Sequence, residues 1–253
     1  MPEGLHFYLF AVPAVVLIGL AKGGFSGLGA LGVPLMALGM ADPVKAAAIL
    51  LPILIAQDVI GVAAFRKTWD KSVLLAMLPG AVVGILLGFL LASRVSEQAV
   101  MAALGLVTLL FGVYRLWVER GGRIGATSNS PAWVGGLFGV AAGFTSQIAH
   151  AGGPPFQMWV MPKKLPRDMF VGTSAIFFAI VNWIKVPAYV ALGQFTRENA
   201  LATATLLPIA ILASLAGVKL VRKLPTERFY TIVYVLMIIA GAKLLFDAYS
   251  ATS

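Results

Sequence analysis

Ten apolar stretches, parted by breaks of a few residues, run almost from one end of this chain to the other. They fall at about 5–21, 28–41, 44–65, 72–92, 96–118, 132–149, 154–161, 168–192, 198–221 and 227–248. Backbone N–H and C=O groups in hydrocarbon must bond within their own segment, so stretches of this kind fold as helices. The alternation of apolar and polar residues that marks a membrane β-barrel is absent. Several stretches open like helices, with Pro43 after Asp42 and Pro225-Thr226-Glu227 before the last run. The expected fold is an all-α polytopic membrane protein, a single membrane domain over residues 1–253.

Composition agrees. Hydrophobic residues make up 60% of the chain and charged ones 11%, against roughly 25% charged in soluble domains. The net charge of +9 lies in short clusters between apolar runs, the pattern of cytoplasmic loops; no basic face alternates with stacking aromatics, so no nucleic-acid partner is expected. The absence of cysteine removes disulfides and thiolate chemistry. With His6 and His150 as the two histidines, no metal centre is expected, and no cofactor motif is present. Glu3 and the lack of a basic leader place residues 5–20 in the mature protein.

The one long polar stretch, Glu119 to Pro131, reads as a linker (119–131) between repeat one (5–118) and repeat two (132–249). Each half opens on a glycine-rich segment ending in proline. The first is Gly23-Gly24-Phe25-Ser26-Gly27-Leu28-Gly29-Ala30-Leu31-Gly32-Val33-Pro34, and the second Gly143-Phe144-Thr145-Ser146-Gln147-Ile148-Ala149-His150-Ala151-Gly152-Gly153-Pro154. Pro79, Gly88, Arg94 and Gly112 match Pro208, Gly217, Lys223 and Gly241 at one constant spacing.

Charge bias orients the repeats. The strongly basic loops are 66–71, 115–123, 163–167 and 219–228. If all are cytoplasmic, segment 132–161 enters and leaves on one side as a re-entrant hairpin broken at its glycines. By symmetry segment 5–41 is a hairpin from the other side. Each half then holds a hairpin plus three spans, and the repeats are inverted. The alternative is eight plain spans with parallel repeats, which leaves loops 163–167 and 219–228 outside.

Inverted repeats with broken helices at the midplane describe a secondary transporter. Helix ends opening after glycine turns offer free N–H groups and a positive dipole end, which suit an anion. The candidate substrate-binding residues are Lys22, Gly24, Ser26, Gly27, Gly29, Thr145, Ser146, Gln147, His150, Gly152, Gly153 and Lys185. Gln57, Asp58 and Asn182 are candidate coupling or ion-pair residues, because a charge inside an apolar run costs about 3 kcal/mol or more and faces a partner or a wet cavity. Each has an ordinary reading beside this one. The glycines permit close helix packing, Lys22 snorkels to an interface, Lys185 lies near a membrane edge before Pro187, Asp58 is a structural partner, and His150 is a hydrogen-bonded packing residue. Pro79 and Pro208 read as kinks. Arg94, Arg115, Lys163, Lys164, Arg222 and Lys223 read as orientation signals, and Trp69, Trp117, Trp133 and Trp159 as interface anchors.

The paired glycine-rich, proline-ending segments at the start of two similar halves resemble the TauE/SafE sulfite exporter family of membrane permeases, over about residues 10–248. That resemblance implies a multi-pass transporter, expected in a bacterial inner (plasma) membrane, for small sulfur-containing anions such as sulfite or sulfonates. Two departures bear on the substrate: Gly29-Ala30-Leu31-Gly32 has fewer consecutive glycines than is usual in the family, and His150 stands where a small residue is common. The expected partners are thus a small anionic substrate and the lipid bilayer, with no oligomeric state assigned. Competing readings are a passive anion channel, a non-transporting membrane subunit, and an intramembrane serine protease built on Gly24-Phe25-Ser26-Gly27 with His150. No nucleotide-binding Gly-x-x-x-x-Gly-Lys motif supports primary pumping.

Overall fold

The computed structural model describes residues 4–22, 28–40, 42–92, 94, 96–122, 130–220 and 227–250. These residues form ten α-helices: α1 (Gly4–Lys22), α2 (Gly32–Met40), α3 (Pro43–Phe65), α4 (Lys71–Ala92), α5 (Glu97–Glu119), α6 (Ala132–Ala149), α7 (Gly153–Val160), α8 (Arg167–Ala191), α9 (Arg197–Leu220) and α10 (Glu227–Ser250). A 3₁₀ turn, Leu28–Leu31, leads into α2, and another, Met161–Lys163, follows α7. Among the described residues seven helices are long and apolar enough to cross a membrane: α1, α3, α4, α5, α6, α8 and α9. Their outward faces carry exposed Leu86, Leu87, Leu90, Leu110 and Leu212, as a lipid-facing surface requires.

Local chemistry sets the helix starts. Asp42 accepts the Lys45 amide at 2.8 Å, with Pro43 in the first turn of α3. Ser96 accepts the Ala99 amide at 3.3 Å and opens α5. Asp70 accepts from the Ser72 hydroxyl at 2.6 Å and the Val73 amide at 3.1 Å, before α4. The Ser72 hydrogen bond, the largest influence, holds the Asp70 carboxyl below its ordinary range. A carboxylate with a lowered folded pKa contributes stability above its unfolded pKa and loses it as pH falls through the folded one. Asp70→Ala is therefore expected to cost about 1 kcal/mol near neutral pH and nothing in acid, measured by thermal unfolding in detergent.

The first and second helices form a hairpin. His6 Nδ1 lies 3.2 Å from the Gly39 carbonyl, and Gly32 packs on Ile18, so the start of α1 and the end of α2 share one end of the molecule. Helices α6 and α7 form the other hairpin, with Gly135 against Trp159 and Gly152 against Ala142 and Ser146. Trp159 is thereby buried, 2% exposed, under the ammonium of Lys163. It seats the hairpin in the core and is not an interface anchor, whereas Trp69, Trp117 and Trp133 are exposed.

Glycines set the closest helix contacts. Helices α4 and α6 run parallel, Gly80 meeting Gly136, Gly84 meeting Val140, and Gly88 meeting Gln147. Helices α1 and α9 also run parallel, joined by Tyr8 to Thr205 at 3.4 Å, Gly19 to Ala213 and Gly217 to Leu20. Two further pairs are antiparallel. In α3 with α8, Asp58 faces Asn182 and the carbonyls of Phe65 and Thr68 face Gly172. In α5 with α10, Gly105 faces Leu245 and Gly112 faces Ile238. Pro79 and Pro208 lie inside α4 and α9.

These directions fix the two ends. Loop 66–70, the end of α5, the start of α6 and the segment 161–167 share one end, where the Asp70 amide donates to Thr173 at 2.8 Å and Arg115 Nη1 lies 3.4 Å from Met161 Sδ. That end carries Arg66, Lys67, Arg120, Lys163 and Lys164. The opposite end holds the Lys45–Glu198 ion pair at 2.7 Å and the approach of Val44, Leu91, Ala99 and Leu192. Arg115 is more than an orientation signal. It is 7% exposed, donates to the Tyr234 hydroxyl at 2.8 and 3.0 Å, and ties α5 to α10.

Candidate functional site

The two hairpins converge on one cavity of about 100 Å³. From the first come Lys22 and, in the 3₁₀ turn, Gly29; from the second come Ser146, His150, Gly153 and Gln157. Helix α8 supplies Phe170, Ser174, Phe178 and Asn182 along the wall. Since Phe170 lies near the start of α8, the cavity extends toward the basic end. Its size admits a small oxyanion or a few waters.

Charge in the wall is arranged in two groups. Lys22 donates to Asp58 Oδ1, and Asn182 Nδ2 donates to Asp58 Oδ2 at 2.6 Å. Asp58 is 2% exposed, so both its oxygens are held beneath the cavity and not in it. The second group lies behind Ser146 and His150. Lys185, fully buried, approaches Ser146 O and Oγ at 3.2 Å each and His150 Nδ1 at 2.7 Å. The Lys22–Asp58 pair is neutral in sum, leaving the cavity wall with one uncompensated cation when Lys185 is protonated. Lys185 is thus buried in the protein, and Lys22 is paired, not snorkelling.

His150 ends α6 in the left-handed region, φ 51°. A non-glycine residue there is uncommon and persists when its surroundings hold it. Here Nε2 is 2.8 Å from the Ala47 carbonyl, and the ring stacks on Tyr189 at 6.0 Å.

The remaining sequence candidates take other places. Gly24, Ser26 and Gly27 lie outside the described residues. Thr145 turns back to the Ala141 carbonyl of its own helix at 2.8 Å. The Gln147 side chain faces a different hollow, beside Ile148 and Tyr189. Gly152 serves packing, since a Cβ there meets the Ala142 carbonyl at 2.7 Å. Gln57 cross-ties helices, its amide lying 3.1 Å from the Ala210 carbonyl and 3.4 Å from that of Val15.

The helix-end donors are fewer than the sequence suggests. Pro154 and Pro155 occupy the first turn of α7 and carry no N–H, which leaves the amides of Gly152 and Gly153 at that end. Side chains make up the difference. Gln157 and Ser174 line the cavity and are not among the sequence candidates; Gln157 stands one turn after Gly153, and its buried Oε1 has no hydrogen-bond partner among the described residues.

Residues 11–244 match the family described as sulfite exporter TauE/SafE. The chain belongs to that family. TauE/SafE membership and the seven apolar helices make it an integral, multi-pass membrane transporter of the sulfite-exporter type. Neither the curated proteins nor the solved structures give a significant match. The TauE/SafE match spans the second hairpin, the first from residue 11 onward, and all the cavity-lining residues named above.

Proposed function

We propose that the protein carries a small, singly charged sulfur oxyanion, sulfite-like or a sulfonate, by alternating access around the two hairpin tips. One observation carries this reading: residues from both hairpins border one cavity, with Lys22 in its wall and Lys185 directly behind it, against one nearby carboxylate, Asp58, among the described residues. An oxyanion there would accept from Lys22, Ser146, Ser174, Gln157 and the Gly153 amide. Burial makes such contacts stronger than at a surface.

We infer that the halves are inverted repeats, α1–α5 matching α6–α10. The pairings support a two-fold relation, because α1 with α9 corresponds to α6 with α4. Equivalent helices α3 and α8 are antiparallel, as are α5 and α10. Antiparallel equivalents favour an axis in the membrane plane over one along its normal. The paired hairpin ends support re-entrant segments, and the gathering of basic loops at one end supports a cytoplasmic assignment for it. A bacterial inner membrane fits that bias. The family match supports transport over proteolysis, as does the engagement of both His150 nitrogens.

The test is flux into proteoliposomes of labelled sulfite, sulfonates and thiosulfate. Saturable flux of at least one is expected; none from folded protein, or unitary conductance steps, defeats the reading. Two adjacent glycines sharpen it. A Cβ on Gly153 meets nothing closer than Gln157 Nε2 at 3.7 Å, whereas one on Gly152 strikes backbone. Gly153→Ala should keep its melting temperature and raise the apparent KM about tenfold; Gly152→Ala should lower the melting temperature.

A further inference from the structure

A second hollow lies beyond His150, lined by Ala47, Leu91, Val100, Gln147, Tyr189 and Leu192 at the weakly charged end. The last turn of α6 separates the two. Ser146 and His150 face the central cavity, and the neighbouring Gln147 faces the second hollow. Tyr189 closes the wall, donating to the Gln147 carbonyl at 3.0 Å. Lys185 is buried inside this partition.

Its chemical state is constrained by its neighbours. An ammonium has three protons, and Lys185 has three acceptors: Ser146 O, Ser146 Oγ and His150 Nδ1. All are uncharged. The Ala47 carbonyl only accepts, so His150 carries its proton on Nε2 and offers a lone pair at Nδ1. A second proton on the pair would set two cations 2.7 Å apart. The pair therefore holds one positive charge or none. The other charged groups facing it are Lys22 of α1 and Asp58 of α3, bound to each other, with Asn182 of α8 on the second Asp58 oxygen. Asp58 is committed to those partners, whereas Lys185 has no carboxylate within ion-pair distance among the described residues.

We propose that Lys185, backed by His150, is the proton carrier of this transporter, each anion crossing with one proton on Lys185 Nζ. The proposal rests on the central cavity being the anion site. With the anion present, the buried ammonium has a counter-charge. Without it, the ammonium is an uncompensated buried cation and gives its proton to water on the open side. One proton passes from solvent to Nζ with the anion and returns to solvent after it; no other bond changes. One positive and one negative charge cross together, so the step is electroneutral. The partition between two hollows gives Lys185 the position from which alternating access exposes it to one side at a time.

The probe is methanesulfonate, which stays anionic, so any accompanying proton rides on the protein; sulfite serves as a second substrate. In proteoliposomes without gradients, wild-type protein should exchange labelled for unlabelled anion. An inside-alkaline gradient of about one pH unit should drive about tenfold accumulation, the proton ratio itself. A membrane potential alone should drive none. Lys185→Arg holds its charge permanently and should lose gradient-driven accumulation while exchanging at a reduced rate. His150→Gly suits the left-handed backbone and should lose coupling likewise. Exchange that ignores the pH gradient and follows potential overturns the proposal but leaves the anion carrier standing. Gradient-driven accumulation that survives in both variants overturns it as well. Absence of exchange of either anion by folded wild-type protein defeats the anion-site reading and the proposal with it.

Discussion

Asp58→Ala is expected to cost about 3–5 kcal/mol of stability, because truncating one partner leaves a buried charge uncompensated. The Lys22 ammonium loses the one carboxylate it pairs with among the described residues, and the Asn182 amide loses its acceptor. The pair also ties the end of the first hairpin's long arm to α3 and α8. Thermal unfolding in detergent measures the loss; an unchanged melting temperature would show that the pair does not hold α1 in place. The double variant Lys22→Met with Asp58→Leu should recover most of the stability, since apolar replacements of a buried ion pair are often neutral or better. It should not recover anion flux, because the cavity then lacks the Lys22 cation. That separation of stability from flux distinguishes a binding cation from a purely structural one.

Gly84→Val is expected to break the seam between α4 and α6. A Cβ at Gly84 would stand 2.0 Å from the Val140 carbonyl oxygen and 2.7 Å from the Phe144 amide. Neither is a side chain that can swing aside. A Cβ on Gly80, Gly139 or Gly143 would likewise stand 2.0, 2.2 or 2.1 Å from a facing carbonyl oxygen in the same seam, so the two helices would have to part along their length. Overpacking of side chains costs about 1–3 kcal/mol, and displacement of backbone belongs at or beyond the upper end. The expected readout is loss of folded protein in size-exclusion chromatography. Gly136→Ala is the control, because its Cβ finds only the Ala76 carbonyl at 3.7 Å, and it should behave as wild type. Wild-type folding of Gly84→Val would contradict the close approach of α4 and α6.

Much of this architecture is legible in the sequence, for identifiable reasons. Helix positions follow the apolar stretches to within a residue or two, save that stretch 28–41 opens on a 3₁₀ turn four residues before α2, since hydrocarbon admits few other structures and Asp42-Pro43 marks a start. The pairing of α6 with α7 is consistent with the expectation drawn from the basic residues at 115–123 and 163–167, with Gly135 packed against Trp159. What hydropathy does not encode is rotation about a helix axis. Ser146 and Gln147 are neighbours of similar polarity, yet one faces the central cavity and the other the hollow beyond it. Lys185 is placed behind the wall for the same reason. Gln157 escapes notice because it is one amide in a short, mixed helix; its spacing of one turn from Gly153 is the available signal. Arg115 and Trp159 are misread from their types, as loop charge and interface aromatic, because burial overrides the usual location of both residues.

The glycine seams bear on how the molecule can move. Helix α1 is bound along its length to α9, and α6 to α4, so each hairpin is fastened to a span encoded in the other half of the chain. A motion that slid the amino-terminal half as one block past the carboxy-terminal half would tear both seams. Under the proposed alternating access, the mobile bodies would therefore be mosaics, each assembled from two distant stretches of sequence. A backbone cut between residues 122 and 130 should accordingly leave two fragments that stay clasped and purify as one particle.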